Sequence, residues 1–132
     1  ANQLFLALGA QSSGFPATSE SAREVLHQQL TEIYGNGVGI NPQSLLMLEG
    51  SGLSRQQRVT AHGMIRIMEA FRPYADLLPE VNEVLRKSGT LTGVYNFSGY
   101  IQRPDGLYPY VILTNQGVNN RDEILQFLNR SI

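Results

Sequence analysis

Three runs of strand-forming residues lie close together in the second half of the 132-residue chain. They fall near residues 83–91, 94–102 and 107–114, with a Thr-Gly pair between the first two and an Arg-Pro-Asp-Gly turn before the third. Connections this short leave no room for a crossover, so both must be hairpins. The sequence therefore predicts a three-stranded antiparallel sheet.

A helix is predicted in the first third of the chain. Ser19 or Ser21 can cap it, because Ser21–Glu24 has the form of a capping box. A Gly-Asn-Gly segment at residues 35–37 is a suitable end. The apolar side chains recur at helical spacing and should face a core: Ala22, Val25, Leu26, Leu30, Ile33 and Tyr34.

Two further helices are predicted, one on each side of the strands in sequence. Thr60 can cap the first and Pro73 stops it, and its inward residues are Met64, Ile65, Met68 and Phe71. The second begins at Asn119 or Asn120, with Ile124, Leu125, Phe127 and Leu128 inward. Together with the strands, these helices define an α+β fold in which helices flank the sheet.

The composition excludes several classes of function. The chain is 42% hydrophobic and long enough to bury a core. With a formal net charge of −1 and scattered arginines, it offers no electrostatic footprint for nucleic acid. No apolar run reaches the roughly 20 residues of a membrane span. Because there is no cysteine, thiolate metal sites and disulfides are excluded.

Lys87 is the only lysine, and the other nine basic side chains are arginine. It lies in the sequence Arg-Lys-Ser-Gly-Thr-Leu-Thr-Gly of residues 86–93. A single ammonium in such a chain indicates a need for a compact, protonatable point charge. Lys-Ser/Thr-Gly is the third motif of the penicillin-recognising serine acyl-transferases. The tripeptide arises by chance in roughly one chain in fifteen of this length, so its surroundings decide its meaning.

The surroundings of Lys87 contain further distinctive segments. Residues 48–55 read Leu-Glu-Gly-Ser-Gly-Leu-Ser-Arg, and Arg-Val-Thr follows at 58–60. After the lysine come Phe-Ser-Gly-Tyr-Ile at 97–101 and an apolar strand that ends in Thr-Asn at 114–115. Over residues 1 to about 117, this order resembles the C-terminal part of the D-alanyl-D-alanine carboxypeptidases of the penicillin-binding protein 4 type.

The resemblance implies a fold and an activity. Residues 1–132 would form a single partial domain, the C-terminal half of a β-lactamase/transpeptidase-like domain. The parent protein would be a periplasmic serine-type D-Ala-D-Ala carboxypeptidase, with endopeptidase activity left open. It would hydrolyse peptidoglycan stem peptides ending in D-Ala-D-Ala through an acyl-enzyme, and β-lactams would acylate the same serine. The resemblance implies no metal or organic cofactor.

The resemblance also assigns roles to four consecutive residues. Lys87 would be catalytic, since its charge polarises the hydroxyl network that protonates the leaving group and attracts the substrate carboxylate. Ser88 would hydrogen-bond that carboxylate, and Gly89 would let the substrate backbone approach. The Thr90 N–H would be one oxyanion-hole donor. Substrate would lie along this strand as an added β-strand.

The nucleophile of this chemistry is not in the sequence. A Ser-x-x-Lys pair is required, but the residue three positions before the only lysine, Lys87, is Val84. We expect this motif upstream of residue 1, and the 132-residue chain by itself to be inactive. Asn2 is an alternative for the asparagine of Ser-x-Asn, but its distance to Gly9 is short for the family, so we expect that motif upstream as well.

The Ser- and Gly-rich segment of residues 49–55 does not fit a Gly-x-Ser-x-Gly nucleophile elbow. We predict a structural turn there. Glu49 stands where the family commonly has aspartate, which leaves the role of this carboxylate open.

Two rival functions and one consequence of the resemblance remain. The parent could be a non-catalytic peptidoglycan-binding relative, which its upstream motifs would decide, or an esterase or β-lactamase, which nitrocefin turnover would reveal. In the family the strand at 107–114 pairs with a strand from the N-terminal part of the domain. The isolated chain is therefore expected to self-associate through strand 107–114, or to cover this strand with a rearranged terminus.

Overall fold

The computed structural model describes residues 1–34 and 44–132. The predicted helix end at residues 35–37 lies outside them. The chain divides into two compact units, Ala1–Gly63 and Met64–Ile132, which are described in turn. No helix within the described ranges combines the length and apolarity needed to cross a membrane.

The first unit contains two packed helices and a small sheet. Helix α1 spans Asn2–Ser13 and helix α2 spans Ser19–Tyr34. Strands β1 (Leu45–Leu46) and β2 (Arg58–Val59) pair antiparallel.

Helices α1 and α2 make close contact at small residues. A Cβ added to Gly9 of α1 would lie 2.7 Å from the backbone N of Ala22 in α2, and Ala22 is fully buried. Phe5 and Leu30 are also buried. The predicted inward positions Ala22 and Leu30 of α2 are therefore confirmed, while Val25 and Leu26 are half-buried.

The capping box of α2 is present, but it begins three residues earlier than the sequence predicted. The Ser21 N–H donates to Thr18 Oγ1 at 3.0 Å, and the Thr18 N–H donates to Ser21 Oγ at 3.2 Å. Thr18 is therefore the N-cap, and the prediction of Ser19 or Ser21 was wrong because a run of hydroxyl residues offers several equivalent caps. The predicted cap of the next helix is confirmed, since Thr60 Oγ1 accepts the Gly63 N–H at 3.0 Å.

The second unit is built on a four-stranded antiparallel sheet. Helix α3 (Ala61–Phe71) leads into a 3-10 helix, Arg72–Leu77. Strands β3 (Glu80–Val81), β4 (Val84–Leu91), β5 (Val94–Arg103) and β6 (Gly106–Asn115) follow, and helix α4 spans Arg121–Ser131. The strand order is β3-β4-β5-β6.

The prediction of three strands was wrong by one, whereas both hairpins are confirmed. Strand β3 is only two residues long, and its turn to β4 passes through Asn82 and Glu83 at φ 52° and 62°. Neither residue is glycine, so the turn carries only a weak signal in the sequence. The hairpins close at the pairs Leu91 with Val94 and Arg103 with Gly106.

Both faces of the sheet are covered. On one face a cluster forms between the sheet and α4: Val84, Phe97, Ile101, Tyr110, Ile112 and Leu125. On the other face a cluster forms with α3 and the 3-10 helix: Met68, Ala75, Leu85 and Tyr100. The Tyr100 hydroxyl donates to the Met68 carbonyl, so the buried phenol is hydrogen-bonded.

The inward face of α4 is narrower than predicted. Leu125 is buried, and Ile124 and Leu128 pack against the same cluster. Phe127, also predicted inward, has 65% of its surface exposed. At about 100° per residue, Phe127 projects roughly 200° away from Leu125, beyond the stripe that meets the sheet.

Gly99 provides a test of how closely β4 and β5 approach. A Cβ at Gly99 would lie 1.8 Å from the Leu85 carbonyl oxygen, whereas a Cβ at Gly89 would meet nothing closer than Asn96 Cβ at 3.6 Å. We expect Gly99→Ala to lower the free energy of unfolding by about 1–3 kcal/mol. Gly89→Ala should fold normally. Urea unfolding of the two variants checks this, and equal stabilities would contradict the close approach.

Candidate active site

Strand β4 has an open edge over the second half of its length. Strand β3 pairs only with Val84 and Leu85, and the Arg86 N–H donates to the Pro79 carbonyl at 2.9 Å. Beyond Arg86, no other strand in the described part of the chain lies along this edge. Because residues two apart in a strand point their backbone groups the same way, the N–H groups of Ser88 and Thr90 are directed at the open edge.

Lys87 lies on this edge segment, opposite Ser98 of β5. Alternation along β4 puts its side chain on the face of Leu85, which is the face covered by α3. The side chain is exposed, and its Nζ donates to the Ser88 carbonyl at 2.9 Å. The ammonium is therefore held beside the open edge.

Ser88 and Thr90 point to the opposite face from Lys87, the face covered by α4. Gly89 lies between them, and its missing Cβ would make only ordinary contacts, so no described residue requires glycine there. Thr90 Oγ1 accepts a hydrogen bond from Arg121 Nη1 at 2.8 Å. The four predicted site residues are thus contiguous on the edge, with Lys87 on one side of the strand and Ser88 on the other.

An open cavity of about 400 Å³ adjoins the edge on the α4 side. Its lining includes these six residues: Arg86, Lys87, Ser88, Phe97, Arg121 and Asp122. The guanidinium carbons of Arg86 and Arg121 lie 4.5 and 4.4 Å from the centroid of the Phe97 ring, within the range of cation–π attraction. Arg86 also pairs with Asp122 at 3.4 Å.

Sequence reasoning missed Arg121 and Asp122. Arg121 is the first residue of α4, and its Nη1 reaches acceptors on two strands: the Gly89 carbonyl, Thr90 Oγ1 and the Asn96 carbonyl. No local pattern signals this contact, because it depends on how α4 packs on the sheet. Arg86 stands next to the motif lysine, but the sequence does not distinguish an arginine that lines a cavity from one that faces solvent.

The turn at residues 49–55 belongs to the first unit and is organised by Glu49. Its carboxylate accepts the Ser51 N–H at 2.7 Å, the Ser54 N–H at 3.1 Å and the Gln57 side-chain amide at 2.7 Å. The Ser51 hydroxyl also donates to it. The Ser51 hydroxyl first, and then the backbone N–H groups of Ser54, Ser51 and Gly52, lower the pKa of Glu49 to about 2.

The hydrogen-bonding role left open for Glu49 is thus structural in this chain. The neighbouring Gly50 N–H donates to Asn2 Oδ1 at 2.7 Å, which joins the turn to the start of α1. Ser51 and Ser54 both contribute to the ring of donors around the Glu49 carboxylate. In the described ranges no group of acidic or histidine side chains could hold a metal ion.

Glu49→Gln should destabilise the chain in a pH-dependent way. The pKa of the Glu49 carboxyl is about 2 in the folded chain, against an ordinary value of 4.5, so its ionised form stabilises the fold fully above pH 4.5. The stabilisation is lost as the pH falls towards the pKa of Glu49 in the folded chain. The stability difference between wild type and Glu49→Gln should therefore be largest near neutral pH and shrink between about pH 5 and 2.

Urea unfolding measured across this pH range checks the prediction. Glu24→Gln, which alters an exposed carboxylate on α2, is the matched control and should leave the profile nearly unchanged. A difference between wild type and Glu49→Gln that stays constant with pH would contradict the role assigned to the ionised carboxylate.

The strand that carries Lys-Ser-Gly thus lies, with an open edge, in an antiparallel sheet that has helices on both faces. The chain belongs to the D-Ala-D-Ala carboxypeptidase 3 (S13) family, whose sequence pattern matches residues 1–80. The matched region ends before β4, so the Lys-Ser-Gly segment lies outside it. The resemblance to penicillin-binding protein 4 type carboxypeptidases expected from the sequence is confirmed.

Two solved structures of Haemophilus influenzae penicillin binding protein 4 have a similar fold. The one complexed with a novel β-lactam has a TM-score of 0.75 and 22% sequence identity, over 98% of this chain and 36% of that protein's chain. The second, described without a ligand, has a TM-score of 0.71, 22% identity and coverages of 98% and 35%. The chain therefore spans about a third of these proteins' length. No curated protein matches the sequence significantly.

Proposed function

We propose that this chain supplies the substrate-binding edge strand of a serine-type D-Ala-D-Ala carboxypeptidase that acts on peptidoglycan stem peptides. The open edge of β4, with Lys87, Ser88, Gly89 and Thr90 in succession, is the observation that carries the proposal. Family membership and the fold of penicillin binding protein 4 support it. Peptidoglycan as substrate implies an extracytoplasmic location.

The substrate peptide would add to the sheet along the open edge. Backbone groups of Ser88 and Thr90 are directed there, and an extended peptide can pair with such groups as an additional strand. Gly89 removes the side chain that would crowd the approaching backbone. No contact among the described residues requires this glycine. Its conformational cost is therefore offset most simply by the approach of a ligand backbone from outside the sheet.

The reaction would pass through an acyl-enzyme. A serine outside these 132 residues would attack the carbonyl carbon between the two D-alanines, and the developing oxyanion would accept hydrogen bonds from backbone N–H groups, including that of Thr90. The C–N bond then breaks, and the terminal D-alanine leaves with a proton delivered through a hydroxyl network polarised by Lys87. Water would hydrolyse the ester. β-Lactams would acylate the same serine.

Lys87→Ala in the full-length protein should slow acylation by a fluorescent penicillin by about 10²–10⁴-fold, because one general-acid or electrostatic contributor is lost. Lys87 is exposed, so thermal stability should change little. Lys87→Arg is the matched control: it keeps the charge but not the compact ammonium and should restore only part of the rate. Acylation of Lys87→Ala at the wild-type rate would make Lys87 an ordinary surface lysine.

The 132-residue chain by itself should form no covalent adduct with a fluorescent penicillin and release no D-alanine, because it contains no Ser-x-x-Lys. Gel electrophoresis after denaturation, with the full-length protein as positive control, checks this. A stoichiometric adduct on the 132-residue chain would show that the nucleophile lies within it.

We also propose that the isolated chain self-associates through strand 107–114. Within the described residues, β6 is the last strand of the sheet, and an unpaired strand edge is a template for pairing with another chain. Pro109 removes only one donor. Sedimentation should show association that increases with concentration. A monomer at high concentration, with fast amide exchange along 110–114, would contradict this.

A further inference from the structure

Lys87 and Asn96 project from the same face of the sheet, on neighbouring strands. Asn96 of β5 is paired with Gly89 of β4, which stands two residues after Lys87. Residues two apart in a strand share a face, and so do paired residues. Asn96 is therefore the diagonal neighbour of Lys87, on the face where α3 packs, and long side chains at such positions can reach one another. The proposed function gives Asn96 no part.

The side-chain amide of Asn96 has a fixed orientation. Its Oδ1 accepts the Thr114 N–H of β6 at 3.1 Å. Because an N–H group can only donate, the oxygen of the amide faces β6 and its NH2 group faces the other way, towards β4. The position of Nδ2 agrees, since it lies 3.9 Å from the site of a Cβ on Gly89. Within residues 1–34 and 44–132, no acceptor binds this NH2 group.

The ammonium of Lys87 is directed to the same place. Its Nζ donates to the Ser88 carbonyl at 2.9 Å, and this carbonyl belongs to the peptide group that joins Ser88 to Gly89. The lysine therefore extends along its own strand towards the glycine, while the Asn96 amide approaches from the next strand.

Gly89 leaves the space between these two donors open. Apart from its chain neighbours, a Cβ on Gly89 would meet no described atom within 4 Å except those of Asn96. The backbone groups on either side of the glycine face the open edge. An oxygen atom above Gly89 can therefore accept one hydrogen bond from Lys87 and one from Asn96, beside the edge where a peptide would lie.

We propose that Asn96 is a second donor, beside Lys87, to the hydroxyl oxygen from which the leaving group receives its proton. The inference rests on the proposed function and adds a residue to it. A hydroxyl has two lone pairs and one hydrogen. When Lys87 and Asn96 occupy both lone pairs, the hydrogen points away from them, towards the peptide at the open edge.

The two donors also make this hydroxyl a stronger acid. Both stabilise the negative charge that grows on its oxygen as the proton leaves. The hydroxyl gives its proton to the nitrogen of the terminal D-alanine as the C–N bond breaks. It takes in turn the proton that the attacking serine has released, so the network returns to its starting state.

The test uses the full-length protein and two substrates that differ only in their leaving group. One is a short N-acylated peptide ending in D-Ala-D-Ala, and the other carries the same acyl group as a thioester. An amine cannot leave as its anion and must be protonated, whereas a thiol, with a pKa of about 8.5, can leave as the thiolate. A donor that assists protonation therefore matters for the peptide and hardly for the thioester.

Asn96→Asp keeps an oxygen for the Thr114 N–H and loses the NH2 donor. It should lower kcat/KM for the peptide by about ten- to a hundred-fold, the effect of one lost hydrogen bond to a group that gains charge. The kcat/KM for the thioester should be nearly unchanged. Asn96→Ala removes the donor without adding a charge and should show the same difference between the substrates. Its thermal stability should be lower, because the Thr114 N–H loses its acceptor.

Gln102→Glu is the matched control. It makes the same change of amide to carboxylate on the same strand and the same face, further from Gly89. It should alter kcat/KM for neither substrate.

The outcomes separate this inference from the proposed function. If wild type releases D-alanine but Asn96→Ala affects both substrates equally, or affects neither, the donor role of Asn96 is wrong. If only Asn96→Asp distinguishes the substrates, the added charge acts on Lys87, and the donor role is again wrong. If wild type releases no D-alanine and forms no penicillin adduct, the proposed function fails, and the inference fails with it.

Discussion

Two-sided burial of β5 is the constraint on which the second unit depends. Tyr100 and Ile101 are neighbours in sequence, both have no exposed surface, and they point to opposite faces of the sheet. Each therefore needs its own covering layer, which α4 provides for Ile101 and α3 for Tyr100. Burial of side chains this large stabilises the fold by about 1.5–3 kcal/mol each, so neither layer is dispensable. Because β5 lies in the interior of the sheet, β4 lies towards one edge, and the second half of β4 is unpaired on that side in the described residues.

The features that could be predicted are those encoded by neighbouring residues. The hairpins follow from short connections, and the cap at Thr60 follows from a single hydroxyl before an apolar helix. Where several neighbouring hydroxyl residues could each cap a helix, the predicted residue was wrong: Thr18 caps α2 in place of the serines that follow it. Strand β3 was missed because a two-residue strand has no period to detect. Phe127 was misplaced because hydrophobicity alone does not give the width of a buried stripe.

The residues of the candidate site also fall into two groups, those that neighbouring residues in the sequence reveal and those that only the packing of the fold brings in. Residues 87–90 could be selected from the sequence because they are contiguous and form a motif. Arg121 and Asp122 could not, since they reach the strand only through the packing of α4. The role of Glu49 could be predicted only in part. Its neighbours in sequence supply the donors that lower its pKa, but only the folded turn shows that all of them converge on one carboxylate.

The alternation of β4 has a consequence for how such a site can diverge. Lys87 and Ser88 are adjacent in sequence, yet the strand itself stands between their side chains. A peptide lying along the edge would meet the lysine from one side and the Ser88 side with its arginines from the other. Substitutions on the arginine side leave the surroundings of the lysine intact. The two sides of the strand can therefore diverge independently, although Lys87 and Ser88 are encoded by consecutive codons.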